Sequence, residues 1–194
     1  MRLPKTPKGL DSRIRRIRTH LSAFKREYGC MDDGGGYRYE LFYLYYLLGD
    51  NRRSSEYLRW FQKEFPRDIG EPFMLLCWAL MLHRMGKNAD NIFIRAMVSN
   101  IYLLPHILGL PETYPDIQWL SNYAEADYIE YFPEQVRVAI TQEERDWIRE
   151  RYETETFTTA RKRYIEIVTE LQHTPPGEKR SALVDEMYGY YSPE

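Results

Sequence analysis

The side chains able to hold a metal, attack a substrate or move a proton are scattered along this chain. His20, His83, His106 and His173 stand far apart, none within four residues of another His or of a Cys. Zinc sites draw on closely spaced Cys and His ligands, and neither HExxH nor CxxC occurs, so no metal is expected. Cys30 follows a Lys- and Arg-rich stretch that would favour its thiolate, but no local motif supplies a partnered base. Cys77 lies inside the apolar run Phe73 to Leu82 and reads as core. Ser54, Ser99 and Ser121 lack the GxSxG turn that presents a nucleophilic serine. Asp127 with Glu130, and Glu143 with Glu144, are carboxylate pairs whose ordinary place is a solvated helix face. Gly34-Gly35-Gly36 could offer backbone N–H groups to a phosphate, but Asp32 and Asp33 beside it repel that ligand. No GxxxxGK[ST] or GxGxxG accompanies it, so a hinge is the expectation. The residues thus predict no catalytic group, no cofactor and no enzyme.

Two groupings do carry binding chemistry. The first is charge. Residues 1–30 hold nine Lys and Arg against Asp11 and Glu27, a net of +7. The whole chain has 27 basic and 29 acidic groups, so the remainder carries 18 against 27, a net of -9. Pro111 to Gln135 contains Glu112, Asp116, Glu125, Asp127, Glu130 and Glu134 with no Lys or Arg. Arg13, Arg15, Arg16, Arg18, Lys25 and Arg26 could track phosphates, in which case binding would weaken steeply with salt. Alternatively the basic arm faces the acidic segment of the same chain. The second grouping is aromatic. Seventeen tyrosines are present, and Tyr37, Tyr39, Tyr43, Tyr45 and Tyr46 crowd one short stretch. Tyr and Trp give large contact area with a polar tip at small entropic cost, which suits a groove for a peptide. The competing assignment is core packing, since aromatics at helical spacing usually face inward.

Helical periodicity positions these residues nearly everywhere. Ile14, Ile17, Leu21 and Phe24 recur at spacings of three and four, with Asp11 or Ser12 as start cap and Gly29 as stop. Tyr37 to Leu48 ends at Gly49-Asp50, and a helix from about Arg52 to Phe65 stops at Pro66. The pattern then restarts: Glu71 to Met85, a break at Gly86-Lys87-Asn88, and a partner helix from Ile92 to Val98. Gly49 and Gly86 lie 37 residues apart, Phe65 and Ser99 34, a period typical of stacked helix–turn–helix units. Farther on, Ser121 can cap a short helix through Tyr131. Thr141 to Glu144 is a capping box opening a helix to about Glu153. Helices over Phe157 to Leu171 and Glu178 to Tyr191 flank Pro175-Pro176-Gly177. No sustained alternation predicts a strand, and the fold class is all-α.

The two units resemble tetratricopeptide repeats. Counted back from Pro66, Leu41, Phe42 and Tyr45 take the packing positions of the first helix, and Ser54, Leu58 and Phe61 those of the second. The stretch Asn100 to Pro111, with Leu108-Gly109, followed by Tyr123-Ala124-Glu125-Ala126-Asp127-Tyr128 and Trp147-Ile148, is similar to the suppressor-of-tumorigenicity-seven branch. This resemblance covers roughly residues 37–150. It implies antiparallel helix pairs stacked as a short superhelix, a binding scaffold with no catalytic signature, and a concave face lined by the first helix of each unit. In that register Tyr39, Tyr43 and Tyr46, with Met74, Trp78 and Met81, would line the partner-binding face.

The chain is expected to form one compact domain. Its parts are a basic helix and Gly-rich hinge (1–36), two helix pairs (37–110) and a helical extension (111–194). Mean hydropathy is -0.61. The apolar run Phe73 to Leu82 is about half the ~20 residues a membrane span needs, so no membrane partner is expected. Residues 1–30 lack the apolar core of a secretory leader, and two cysteines make no disulfide framework, which points to a reducing, cytoplasmic setting. The expected function is non-enzymatic binding of a protein or peptide partner, or formation of a homodimer. Capture of nucleic acid or another polyanion by the basic helix is the alternative.

Overall fold

The computed structural model describes residues 2–31, 33–111, 115, 117 and 121–191. All its regular elements are helical, in agreement with the all-α expectation. The helices are α1 (Pro7–Tyr28), α2 (Tyr37–Leu48), α3 (Asn51–Glu64), α4 (Pro72–Arg84), α5 (Asp90–Ser99), α6 (Leu103–Leu108), α7 (Glu134–Ala139), α8 (Gln142–Glu153), α9 (Glu155–His173) and α10 (Glu178–Gly189). Two compact units emerge, Met1–Ala89 with Pro133–Ala139, and Asp90–Phe132 with Ile140–Glu194. The first boundary therefore falls between α4 and α5, the two helices read as the second pair. No described helix is long and apolar enough to cross a membrane.

In the first unit, α1 buries Leu10, Ile14, Ile17 and Leu21, the stripe that the spacing predicts. It starts earlier than expected. Thr6 Oγ1 accepts from Gly9 N at 3.1 Å, and Pro7 takes the first helical position, where its missing N–H costs nothing. Asp11 and Ser12 lie inside the helix. Gly29 closes it at φ 72, a left-handed conformation that favours glycine. α2 is the hub: α1, α3, α4 and α7 all pack against it. That is why Leu41 to Tyr46 are all buried. Phe42 sits among Tyr57, Phe61 and Trp78, with ring centroids at 4.9, 4.8 and 5.5 Å. The six residues placed at repeat packing positions, Leu41, Phe42, Tyr45, Ser54, Leu58 and Phe61, are all buried.

The second unit is knitted by polar side chains on loop carbonyls. Asn100, fully buried, donates through Nδ2 to Tyr123 O at 2.8 Å and Glu125 O at 3.0 Å. Its Oδ1 accepts from Tyr102 N at 3.0 Å. These bonds explain why the single helix expected from Ser121 to Tyr131 is two 3-10 stretches, Asn122–Ala124 and Ala126–Tyr131. Glu125 between them is extended, at ψ 145, and its carbonyl accepts from both Asn100 Nδ2 (3.0 Å) and Tyr128 N (3.2 Å). Arg145 and Arg149 of α8 donate to Ile107 O (2.6 Å) and Leu108 O (3.2 Å), the last carbonyls of α6. The capping box forms as predicted, with Thr141 and Glu144 satisfying each other's backbone donors. Phe93 of α5 meets Trp147 and Phe157 edge-on at 5.2 and 5.1 Å.

Candidate anion-binding face on the first helix

The basic residues of α1 divide by what they reach. Arg13 forks onto Glu40, with Nε at 2.6 Å and the second guanidinium nitrogen at 2.9 Å, and Glu40 is buried. Such a bidentate pair fixes both side chains, and it holds the Arg13 guanidinium above its ordinary pKa. Arg15 pairs with Asp11 at 2.5 Å. Asp11 is shared with Arg53 at 2.7 Å, and that bond, more than any other group, holds its carboxyl below the usual range. Arg18 lies 4.9 Å over the Trp60 ring and donates to Tyr45 Oη at 3.3 Å. Lys25 meets Glu64 at 2.5 Å. Arg16 and Arg26 are exposed and reach no carboxylate among the described residues.

Among the described residues, the carboxylates paired with the cations of α1 are Asp11, Glu40 and Glu64; the alternative partner weighed from the sequence is the acidic segment Pro111 to Gln135. Of that segment, Glu112 and Asp116 lie outside the described residues, and Glu134 pairs with Arg137 at 2.5 Å.

A cleft of about 340 Å³ opens on α1, lined by Arg13, Arg16, Ile17, His20 and Tyr37. The four helix residues follow the spacing of one helical face. The Tyr37 ring sits edge-on to His20, centroids 5.4 Å apart at 74°. Gly35 supports it from another side: a Cβ there would come within 3.0 Å of Tyr37 Cε2. Asp33 accepts from Tyr37 N at 2.9 Å and Arg38 N at 2.6 Å, so the first amides of α2 are already occupied. The glycine run is a turn closed by Gly36 N to Asp33 O at 3.0 Å, not a phosphate cradle. Asp32 lies outside the described residues.

The aromatic face corrects the expectation. Tyr39, Tyr43 and Tyr46 do form one stripe of α2, but each hydroxyl is spent inside the unit. Tyr39 Oη donates to Asp68 Oδ1 at 2.7 Å and accepts from Arg38 at 3.0 Å. Burial, and then Asp68, push its phenol well above the ordinary value. Tyr43 Oη donates to Glu71. Tyr46 Oη donates to Ala139 O at 3.3 Å, and its ring lies 4.1 Å from the Arg84 guanidinium. Tyr43, Tyr46, Met74, Trp78 and Met81 are at most 5% exposed, and only Tyr39 keeps partial exposure. These six residues therefore line no open groove. The cause is the central place of α2, which buries Leu41 to Tyr46, and the apolar circumference of α4.

Among the described residues, Glu71 is the most perturbed acid. It caps α4, accepting from Phe73 N at 2.7 Å and Met74 N at 3.0 Å. Burial pushes its carboxyl up to about 8, against the downward pull of those two N–H donors. It lies in the core of the first unit, 2% exposed. Among the described residues, no group of His, Cys, Asp and Glu could hold a metal ion.

Sequence reasoning named the arginines of this face but not His20 or Tyr37. His20 was readable, lying one turn beyond Arg16. Tyr37 was not, because only tertiary packing brings it to α1. Comparison with family models, with curated proteins and with solved structures gives no match.

Proposed function

We propose that this protein is a non-enzymatic binding module whose ligand is anionic, nucleic acid foremost, held on the exposed basic face around α1. One observation carries this reading: Arg2, Lys5, Lys8, Arg16 and Arg26 are all exposed and reach no carboxylate among the described residues. Tyr28 and Tyr37 are exposed on the same element and at the cleft, 60% and 37%, giving bases rings on which to stack. A cationic track interleaved with aromatics is the common design of single-strand binders. Setting a labelled single-stranded oligonucleotide against the protein in fluorescence anisotropy tests this. Binding at low salt that the Lys5→Gln/Lys8→Gln/Arg26→Gln variant weakens supports the reading; absence of binding at low salt overturns it.

A second reading, protein binding or self-association, draws on the 3-10 segment of the second unit. Tyr123 and Tyr131 are 39% and 73% exposed beside exposed Asp127 and Glu130, an acidic and aromatic strip suited to a basic protein surface. Light scattering at low and high salt tests for the homodimer. Here too belong the stacking of the helix pairs as a tetratricopeptide-like superhelix, which the buried repeat positions of α2 and α3 support, and a reducing, cytoplasmic setting.

A further inference from the structure

We infer that the cleft of Arg13, Arg16, Ile17, His20 and Tyr37 is a subsite for a phosphomonoester, the 5′-phosphate of a nucleotide. This deepens the anionic reading above and rests on it. A cleft of about 340 Å³ is at the small end of ligand sites, the scale of one nucleotide rather than a length of strand.

Its donors suit a doubly charged terminal phosphate. Arg13 is pinned by the fork to Glu40, which uses Nε and one terminal nitrogen. The other terminal nitrogen makes no bond among the described residues, so a fixed guanidinium keeps donors to spend. Arg16 and His20, one turn apart and exposed, add a guanidinium and an imidazole as hydrogen-bond donors on the same helical face. A phosphodiester carries one negative charge; a monoester carries close to two near neutrality, and so matches this set better. The acids nearby are committed. Glu40 is held by Arg13, and Asp33 by the Tyr37 and Arg38 amides and the Arg38 guanidinium. Tyr37, propped between Gly35 and His20, supplies a positioned ring, and Ile17 an apolar surface, for the attached nucleoside.

The test uses the full chain with three probes: a 3′-labelled single-stranded oligonucleotide bearing a 5′-phosphate, the same strand bearing a 5′-hydroxyl, and adenosine monophosphate as competitor. The phosphorylated strand is expected to bind about tenfold tighter, the scale of one or two charge-assisted hydrogen bonds. The Arg16→Gln/His20→Gln variant should erase that preference while keeping the wild-type circular dichroism, since both side chains are exposed. Competition by the mononucleotide on wild-type protein, lost in this variant, extends the site to free nucleotides; a preference for the phosphorylated strand without competition limits it to strand ends. Equal binding of the two strands, both weakened by Lys5→Gln/Lys8→Gln/Arg26→Gln, overturns the subsite and leaves the basic-face reading standing. Binding of adenosine monophosphate in titration calorimetry without any strand binding keeps the subsite and removes the strand reading. Failure of all three probes to bind overturns both.

Discussion

Glu71 shows how far a single residue departs from what its neighbours in sequence suggest. An acid before Pro72 at a helix start reads as an ordinary N-cap, and it is one, accepting from Phe73 N and Met74 N. Its burial could not be read, because the cover comes from the packing of α2 and from Tyr43, 28 residues away. Folded, the carboxyl holds its proton up to about pH 8; its ordinary value is 4.5. Between those values the native state binds more proton than the unfolded chain, so stability falls as pH rises through that window and levels off above it. Urea unfolding at the two ends of the window should show this fall, and Glu71→Gln should flatten it. Tyr43→Phe removes a donor to the same carboxylate, costs about 1–2 kcal/mol, and should steepen the fall. The arginines give the converse lesson. Their number and helical face were legible, but not that Glu40 would hold Arg13 while Arg16 reached nothing. Arg13→Gln strands a buried carboxylate and should cost about 1–3 kcal/mol, discounted for the partial exposure of Arg13. Arg16→Gln should leave the unfolding midpoint unchanged.

Elements were legible where the chain's own signals agree. Gly29, Gly49 and the Thr141 to Glu144 box each end or begin a helix where their chemistry predicts. The start of α1 was misplaced although Thr6-Pro7 is itself a cap followed by the residue that favours the first helical position. The short α6 and α7 carried too few turns for periodicity to register. The segment after Ser121 failed for a different reason, which no local rule contains: Asn100 takes two of its carbonyls across the unit. Asn100→Ala should therefore cost about 2–4 kcal/mol, removing its bonds with Tyr102 N and with the carbonyls of Tyr123 and Glu125. Hydrogen exchange should show Tyr102 N losing protection while the amides of α9 keep theirs. The α3–α4 connection offers a steric counterpart. Gly70 is buried at φ +79, and a Cβ there would lie 2.8 Å from Leu75 Cδ2. Gly70→Ala combines left-handed strain with overpacking and should lower stability by about 2–3 kcal/mol in urea unfolding.

Across the whole molecule, a formal net charge of -2 gives no long-range pull on a polyanion. Any such binding has to be local, set by cations close enough to phosphates to displace condensed counterions. That makes salt dependence the sharpest molecular readout, because its slope counts contacts rather than total charge. Each phosphate neutralised on a single strand contributes about 0.7 to the fall of log K with log salt. If Lys5, Lys8 and Arg26 each meet one phosphate, replacing all three with Gln should shallow the slope by about 2. Arg16→Gln/His20→Gln acts on one phosphate and should change the slope by less than about 1, while removing the preference for a 5′-phosphate. A triple variant that weakens binding with no change of slope would assign the loss to something other than phosphate contact. The asymmetry between residues 1–30 and the rest would then be a matter of the fold's own ion pairs, of which Lys25 with Glu64 and Arg15 with Asp11 are the pattern.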